Sequence, residues 1–283
     1  MTPAPRLLIT GASGTLGGPL AVQAAAAGWD VTATYLTRAD RVRAGKPVRL
    51  DLRDAGAVDA LVRQVQPDVI IHAAVTERSG DGYADAIRLA GRHIAQAAGT
   101  VGARLIALST DLVFDGSQPL YTEETPVQPS PHGIYGQAKA DAERAILAID
   151  PAGLVVRTSL IYDFDPANAQ VAWMLRAIER GEPVRLYADQ IRCPIWAVDL
   201  ADALITLAAT DARGLLHVVG PQALSRYDLG TALLRALGHD PTQHVIAAES
   251  PETQPRRLVL SVERAQALLG RPLLTLAQVV ANN

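Results

Sequence analysis

The sequence predicts an α/β fold with a doubly wound parallel sheet, and three observations carry that expectation. Short apolar runs alternate with segments of helical period from Leu7 to Ser159. The run Asp68–Ala74 is nearly all apolar, as in a parallel strand covered on both faces, and Arg104–Leu108 and Gly153–Ser159 read as further strands of the same sheet. A glycine-rich turn, Thr10-Gly11-Ala12-Ser13-Gly14-Thr15-Leu16-Gly17-Gly18, separates the apolar run Leu7-Leu8-Ile9 from a small-residue helical segment, Pro19–Gly28.

A strand, a glycine-rich turn and a helix in that order form a nucleotide cradle. Gly11 takes the tight turn without a Cβ clash. Gly14 lets the backbone approach a pyrophosphate, and Gly17 lets the helix pack close to the strand. The helix N-terminus adds unpaired N–H groups and a partial positive charge. The spacing is Gly-x-x-Gly-x-x-Gly rather than the Gly-x-Gly-x-x-Gly dehydrogenase fingerprint. Its position favours a Rossmann-type dinucleotide site over an ordinary turn, with Gly11, Ser13, Gly14, Thr15, Leu16 and Gly17 against the cofactor.

Trp29–Tyr35 reads as the second strand and ends in Leu36-Thr37-Arg38. The end of this strand faces the adenosine ribose in dinucleotide folds, where a carboxylate suits a 2′-hydroxyl and an arginine suits a 2′-phosphate. The first acidic residue comes only at Asp40, so Arg38 favours NADP(H) over NAD(H); the alternative is a solvated loop arginine. Pro47–Leu50 is a short strand followed by Asp51 and Leu52, both placed at the cofactor. Asp51 can meet the adenine amino group or serve as a turn carboxylate. Asp54 is positioned to cap a helix whose apolar face is Val58, Leu61, Val62 and Val65. The strand Asp68–Ala74 ends in Ala73 and Ala74, where a cofactor can lie against backbone. His72 reads as a strand-end residue, structural rather than a base.

After a loop bracketed by Gly80 and Gly82, a helix runs from Tyr83 to Ala98. The next strand stops at Ser109-Thr110-Asp111, at the carboxyl end where open α/β sheets bind ligands. Phe114-Asp115-Gly116 is a turn, and Ser117–Gly133 a loop without period. Tyr135-Gly136-Gln137-Ala138-Lys139 opens a helix to Ile149. Tyr135 and Lys139, four apart, share a face. An ammonium beside a phenol stabilises the phenolate, so the tyrosine can exchange a proton with a carbonyl or alcohol oxygen, and the lysine can bond the nicotinamide ribose. Helices are expected over Asn168–Arg180, from an Asp199 cap to Leu207, over Tyr227–Leu237 capped by Ser225, and over Val262–Leu269. Residues 1–161 and 196–220 are expected to form the NAD(P)-binding domain, with 162–195 and 221–283 a small C-terminal substrate-binding lobe.

Of the 283 residues 49% are hydrophobic but only 4% aromatic, so the core must be aliphatic. The net charge of −3 argues against a nucleic-acid face. Cys193 is the only cysteine, which excludes an intrachain disulfide and fits a buried small hydrophobe. No apolar run is long enough to span a membrane and no secretion signal is visible, so a cytoplasmic location is expected.

Together these residues resemble the extended short-chain dehydrogenase/reductases, and within them the dTDP-4-dehydrorhamnose reductase family. The markers are the glycine turn, Ser109-Thr110-Asp111 with Val113-Phe114-Asp115-Gly116, Tyr135 to Lys139, Arg157-Thr158-Ser159 and Asp199-Leu200-Ala201-Asp202. The resemblance implies hydride delivery from NAD(P)H to the 4-keto group of a nucleotide-linked deoxy sugar. It makes Tyr135 the proton donor, Lys139 its partner and Thr110 the group that polarises the carbonyl. Ser109 would join the cofactor contacts, with Thr76, Thr110, Asp111 and Gln190 against the substrate. No metal is expected; a homodimer is the assembly considered. The family also includes the regulatory subunit of methionine adenosyltransferase, so a non-catalytic NADP(H)-binding protein is the alternative, and an epimerase or dehydratase with Asp111 or Glu123 as added acid or base is a third. Two departures stand out. The family usually continues after Asp189-Gln190 with a glycine, a proline and a threonine, where this chain has Ile191-Arg192-Cys193-Pro194-Ile195. The helix before Ser109 carries no asparagine for a proton relay.

Overall fold

A computed structural model describes residues 3–75, 80–166 and 168–281. The first half alternates strand and helix: β1 (Arg6–Thr10), α1 (Gly17–Ala26), β2 (Asp30–Tyr35), β3 (Lys46–Arg49), α2 (Ala55–Val65), β4 (Val69–His72), α3 (Tyr83–Val101), β5 (Arg104–Thr110), α4 (Ile134–Ile149) and β6 (Leu154–Thr158). The second half adds β7 (Ile161–Tyr162), α5 (Ala169–Glu179), β8 (Val184–Tyr187), β9 (Ile191–Arg192), β10 (Ile195–Trp196), α6 (Ala197–Ala208) and β11 (Gly214–His217). It closes with β12 (Leu224–Ser225), α7 (Arg226–Ala236), α8 (Pro241–His244), β13 (Val245–Ala248), α9 (Glu263–Leu269) and α10 (Leu276–Ala281).

Seven strands form one parallel sheet in the order β11-β6-β5-β4-β1-β2-β3. The order turns back on either side of β1, so the carboxyl ends of β1 and β4 flank the crevice where a doubly wound sheet binds its ligand. Alternation along each strand feeds two cores. Leu7, Ile9, Ile71, Ile106 and Val156 meet Leu20 of α1 and Leu200, Leu204 and Leu207 of α6 on one face. Leu8, Ile70, Leu105 and Val155 meet Val58 and Leu61 of α2, Ile94 of α3 and Ile146 of α4 on the other. Each fully buried leucine or isoleucine contributes about 1.5–3 kcal/mol relative to exposure. Ala265 of α9 and Leu273 join the first layer. A separate cluster gathers Tyr162, Val171, Met174, Val184 and Leu186 with Leu229, Leu233 and Val279. The stretches on either side of α6 and β11 thus meet over a core of their own.

The caps follow the sequence with one exception. Asp54 accepts the Ala57 N–H at 3.0 Å, and Ser225 with Asp228 makes a complete capping box on α7. Asp199 does not cap its helix, because α6 already begins at Ala197. Buried inside the first turn, its carboxylate instead takes Arg271 at 2.7 Å and the Leu274 N–H at 2.8 Å, tying the C-terminal segment to α6. Cys193 is buried among Phe114, Tyr121, Val219, Leu258 and Leu260, and burial raises its thiol pKa.

Two histidines are buried within the sheet. His72 shares a 2.8 Å hydrogen bond with the Thr10 hydroxyl; burial, then the Lys139 ammonium, lowers its pKa to about 3. Burial, then Arg157, lowers His217 to about 3 as well. Both are neutral when folded but protonate near 6.5 when unfolded. Below 6.5 the unfolded chain therefore binds more protons, and stability falls as pH drops through this window. Thermal unfolding followed from pH 7 to 5 is expected to show a stability loss of about 2 kcal/mol for each histidine, the slope approaching about 1.4 kcal/mol per pH unit at the acid end. His72→Gln should reduce that slope by about one proton; an unchanged slope would mean that His72 titrates freely in the fold.

Candidate active site

The turn after β1 is built from contacts that only glycine permits. Gly11 has φ +75°, and a Cβ there would lie 2.6 Å from Ala74 Cα. A Cβ on Gly17 would lie 2.2 Å from the Gly11 carbonyl oxygen. The Gly14 N–H donates to the same oxygen at 3.0 Å, and the Ala12 N–H to Thr34 at 2.8 Å. No side chain caps α1, whose first turn holds no acidic residue. Within that turn the Gly18 N–H donates to the Gly14 carbonyl at 3.2 Å and the Leu20 N–H to the Leu16 carbonyl at 3.0 Å, and Pro19 carries no N–H, so what the helix end offers an anion is chiefly its dipole.

Beyond the carboxyl ends of the strands the turn opens into a cleft of about 1250 Å³. That is room for a dinucleotide and a second ligand, against about 300–1,000 Å³ for an ordinary small-molecule site. The six cradle residues line it, as do Asp51, Leu52, Ala73, Ala74 and Ser109. So do Tyr135, Lys139, Thr110, Asp111 and Gln190. Arg38 is not among the described lining residues; it sits exposed before a short turn, 3.9 Å from Asp40. Thr76 lies outside the described residues. Arg53, which no motif marked, does line the cleft. It clasps Asp51 with contacts down to 2.6 Å, and those hydrogen bonds lower the Asp51 pKa. The hydroxyls of Ser109 and Thr158, buried in the cleft wall, have no partner among the described residues. Together with the cradle they provide the donors and the close backbone approach that a nicotinamide dinucleotide requires.

α4 carries Tyr135 and Lys139 and is docked at three levels. A Cβ on Gly136 would lie 2.1 Å from the Leu112 carbonyl oxygen, so only glycine lets this turn of α4 sit beside the end of β5. One turn on, the buried Lys139 ammonium donates to the Leu108 carbonyl at 3.0 Å. One turn further, Glu143 takes the guanidinium of Arg157 on β6 at 2.8–3.2 Å. Arg157 also lies over the Phe114 ring, 5.1 Å from its centroid. Tyr135, half-buried, heads the same i, i+4, i+8 stripe, which is the signal that could have marked Glu143. At the end of β5, Thr110 donates to Asp111 Oδ1 at 3.2 Å and accepts the Leu112 N–H at 3.2 Å. Asp111 also takes the Ser159 hydroxyl at 2.6 Å and faces Arg192 Nε at 3.7 Å. Glu123 is absent from the described lining of the cleft; it accepts the buried His217 backbone N–H at 3.0 Å.

The RmlD substrate binding domain model matches residues 5–281. The chain belongs to the RmlD substrate-binding domain family. It is 36% identical over 279 residues to the dTDP-4-dehydrorhamnose reductase of Mycobacterium tuberculosis (strain CDC 1551 / Oshkosh), covering 94% of this chain and 87% of that one. It is 30% identical over 257 residues to methionine adenosyltransferase 2 subunit beta of Xenopus tropicalis, covering 86% and 75%. Among solved structures, the Bacillus anthracis dTDP-4-dehydrorhamnose reductase in complex with NADP superposes with a TM-score of 0.83 at 24% identity, over 99% of this chain and 98% of that one. The fold is thus the Rossmann-like α/β fold of RmlD proteins.

In this RmlD-family site the docking of α4 is open to a direct test. Gly136→Ala should destabilise the protein by about 1–3 kcal/mol, the usual range for an overpacked contact. It should also displace the Tyr135 turn from β5. Denaturant unfolding of the variant measures the first effect, and a stability within 0.5 kcal/mol of wild type would contradict the close contact.

Proposed function

We propose that the protein is an NADP(H)-dependent reductase of a carbonyl group, the 4-keto group of a nucleotide-linked deoxy sugar. The observation that carries this reading is the meeting of Tyr135, Lys139 and Thr110 in one cleft with the glycine cradle. The 36% identity to a dTDP-4-dehydrorhamnose reductase supports the substrate class.

A dihydronicotinamide held by the glycine cradle would supply the hydride for the carbonyl carbon. The Tyr135 hydroxyl donates its proton to the carbonyl oxygen. The Lys139 ammonium, anchored on Leu108, stabilises the phenolate left behind and reaches the ribose. Thr110 polarises the carbonyl by turning its hydroxyl from Asp111 towards the substrate oxygen. The uncapped end of α1 and the turn at Gly11–Gly17 hold the pyrophosphate, Ala73, Ala74 and Ser109 flank the nicotinamide half, and Asp51 and Leu52 receive the adenine. Gln190 and Asp111 face the sugar. Residues 1–161 and 196–220 serve the cofactor, and 162–195 with 221–283 serve the substrate; the core shared by the latter two stretches supports that division. NADP(H) is preferred to NAD(H) because the run Leu36-Thr37-Arg38 after β2 carries an arginine and no carboxylate, although Arg38 lies outside the described lining of the cleft and 3.9 Å from Asp40. Arg53, four residues past β3 and paired with Asp51, is the cation of this region that does line the cleft among the described residues.

A second reading, a non-catalytic NADP(H)-binding subunit, is favoured by the 30% identity to methionine adenosyltransferase 2 subunit beta. Cofactor absorbance during incubation with NADPH and a dTDP-4-keto-6-deoxy sugar separates the two: oxidation supports the reductase, and binding without turnover supports the subunit.

Tyr135→Phe is expected to lower kcat at least 10³-fold, while the NADPH dissociation constant stays within about threefold. A parallel loss of both would make the tyrosine structural. Arg38→Ala should weaken NADPH by at least tenfold, a loss of about 1.4 kcal/mol, and NADH hardly at all. Titration of both cofactors against Arg38→Ala and Arg53→Ala shows which arginine sets the preference.

A further inference from the structure

The departure after Gln190 falls where the substrate end of the cleft is walled. Residues 250–258 run alongside 189–192 and are bound to them at several points. Ser250 donates its backbone N–H and hydroxyl to Asp189 at 2.8 and 2.9 Å, and Gln190 donates to the Gln254 side chain at 2.8 Å. Backbone bonds join Ile191 N to Arg256 O at 2.7 Å and Leu258 N to Ile191 O at 3.1 Å. Thr253, Gln254 and Pro255 line the cleft, so this strap is its wall.

Arg192 is the residue that connects the wall to the catalytic corner. Its side chain is 4% exposed and lines the same cleft. One terminal nitrogen donates to the Pro255 carbonyl at 2.7 Å. The other donates to the Ile191 carbonyl at 2.7 Å and the Arg256 carbonyl at 3.4 Å. Nε faces Asp111 Oδ2 at 3.7 Å, and Asp111 in turn accepts the Thr110 hydroxyl. A planar fork can serve three carbonyls and a carboxylate together; a point ammonium on a flexible stem cannot.

We propose that Arg192 is a positioning residue that locks the 253–256 wall to the Asp111–Thr110 corner and so sets the width of the substrate end. The catalytic consequence rests on the reductase reading of the cleft; the mechanical one does not. Amide hydrogen exchange at residues 250–258 of the ligand-free protein is compared among wild type, Arg192→Met and Arg192→Lys, beside kcat, KM and NADPH affinity. In Arg192→Met the Gln254 and Leu258 amides should exchange at least tenfold faster, and kcat for the keto sugar should fall at least tenfold, with NADPH affinity within twofold. Arg192→Lys keeps a cation opposite Asp111 but not the fork, so it should recover part of kcat and none of the protection. Unchanged exchange in Arg192→Met, or full recovery of both properties by lysine, overturns the proposal. If Arg192→Met does not fold, the lysine variant carries the exchange test. If wild type turns over no keto sugar, the reductase reading fails while the exchange comparison still decides the clamp.

Discussion

The position of α4 depends on a pair of charges that never meet water. Arg157, next to last in β6, is fully buried, and its partner Glu143 is 4% exposed. Removing one partner from such a pair costs about 3–5 kcal/mol, because the other charge is left buried and uncompensated. The pair is therefore a poor source of net stability but a strong constraint on geometry. α4 must present Glu143 to β6, and the helix period then fixes Lys139 and Tyr135 one and two turns away on the same face. The groups read as the proton donor and its electrostatic partner thus owe their direction to an ion pair that does no chemistry.

A second constraint recurs at the carboxyl ends of the strands: close approach of backbone to backbone at particular glycines. It seats α1 on the turn after β1, through Gly17 over the Gly11 carbonyl, and α4 on the turn after β5, through Gly136 under the Leu112 carbonyl. It appears again past β11, where a Cβ on Gly220 would lie 1.8 Å from the Pro194 carbonyl oxygen. The three contacts lie after β1, β5 and β11, beyond the carboxyl ends of parallel strands. Small residues bring helices and loops close to the sheet there while leaving the cleft between them open.

These constraints differ in how far the sequence discloses them. The buried parallel strands were legible because continuous apolar runs have few other readings, and the Asp54 and Ser225 caps because capping is local chemistry. The cradle, the Ser109–Asp111 strand end and the Tyr135–Lys139 stripe were legible because their chemistry depends on spacing within a few residues. Asp199 misled because a carboxylate near a helix start reads as a cap, and its partners lie more than seventy residues away, at Arg271 and Leu274. Arg157 with Glu143, the strap at 250–258 and the role of Arg192 were opaque for the same reason. Each is a contact between segments that no local period relates. Gly136 was hidden in plain view: within a tyrosine–lysine motif it draws no notice until its distance to Leu112 is known.

The two ends of the cleft are made of different material, and this bears on where this chain can diverge from its relatives. The cofactor end is largely main chain and small residues, Gly11, Gly14, Gly17, Ala73, Ala74 and Ser109, whose geometry is inseparable from the sheet itself. The substrate end is made of longer polar side chains, Gln190, Arg192 and Gln254, held by bonds between two stretches outside the parallel sheet. A change at the first end disturbs the fold; a change at the second alters a wall and leaves the sheet intact. The departure from the family pattern at Ile191–Ile195 falls at the second end. There Arg192 reaches from the wall towards Asp111, so under the proposed reductase reading a change at these positions bears on the sugar side, away from the glycine cradle.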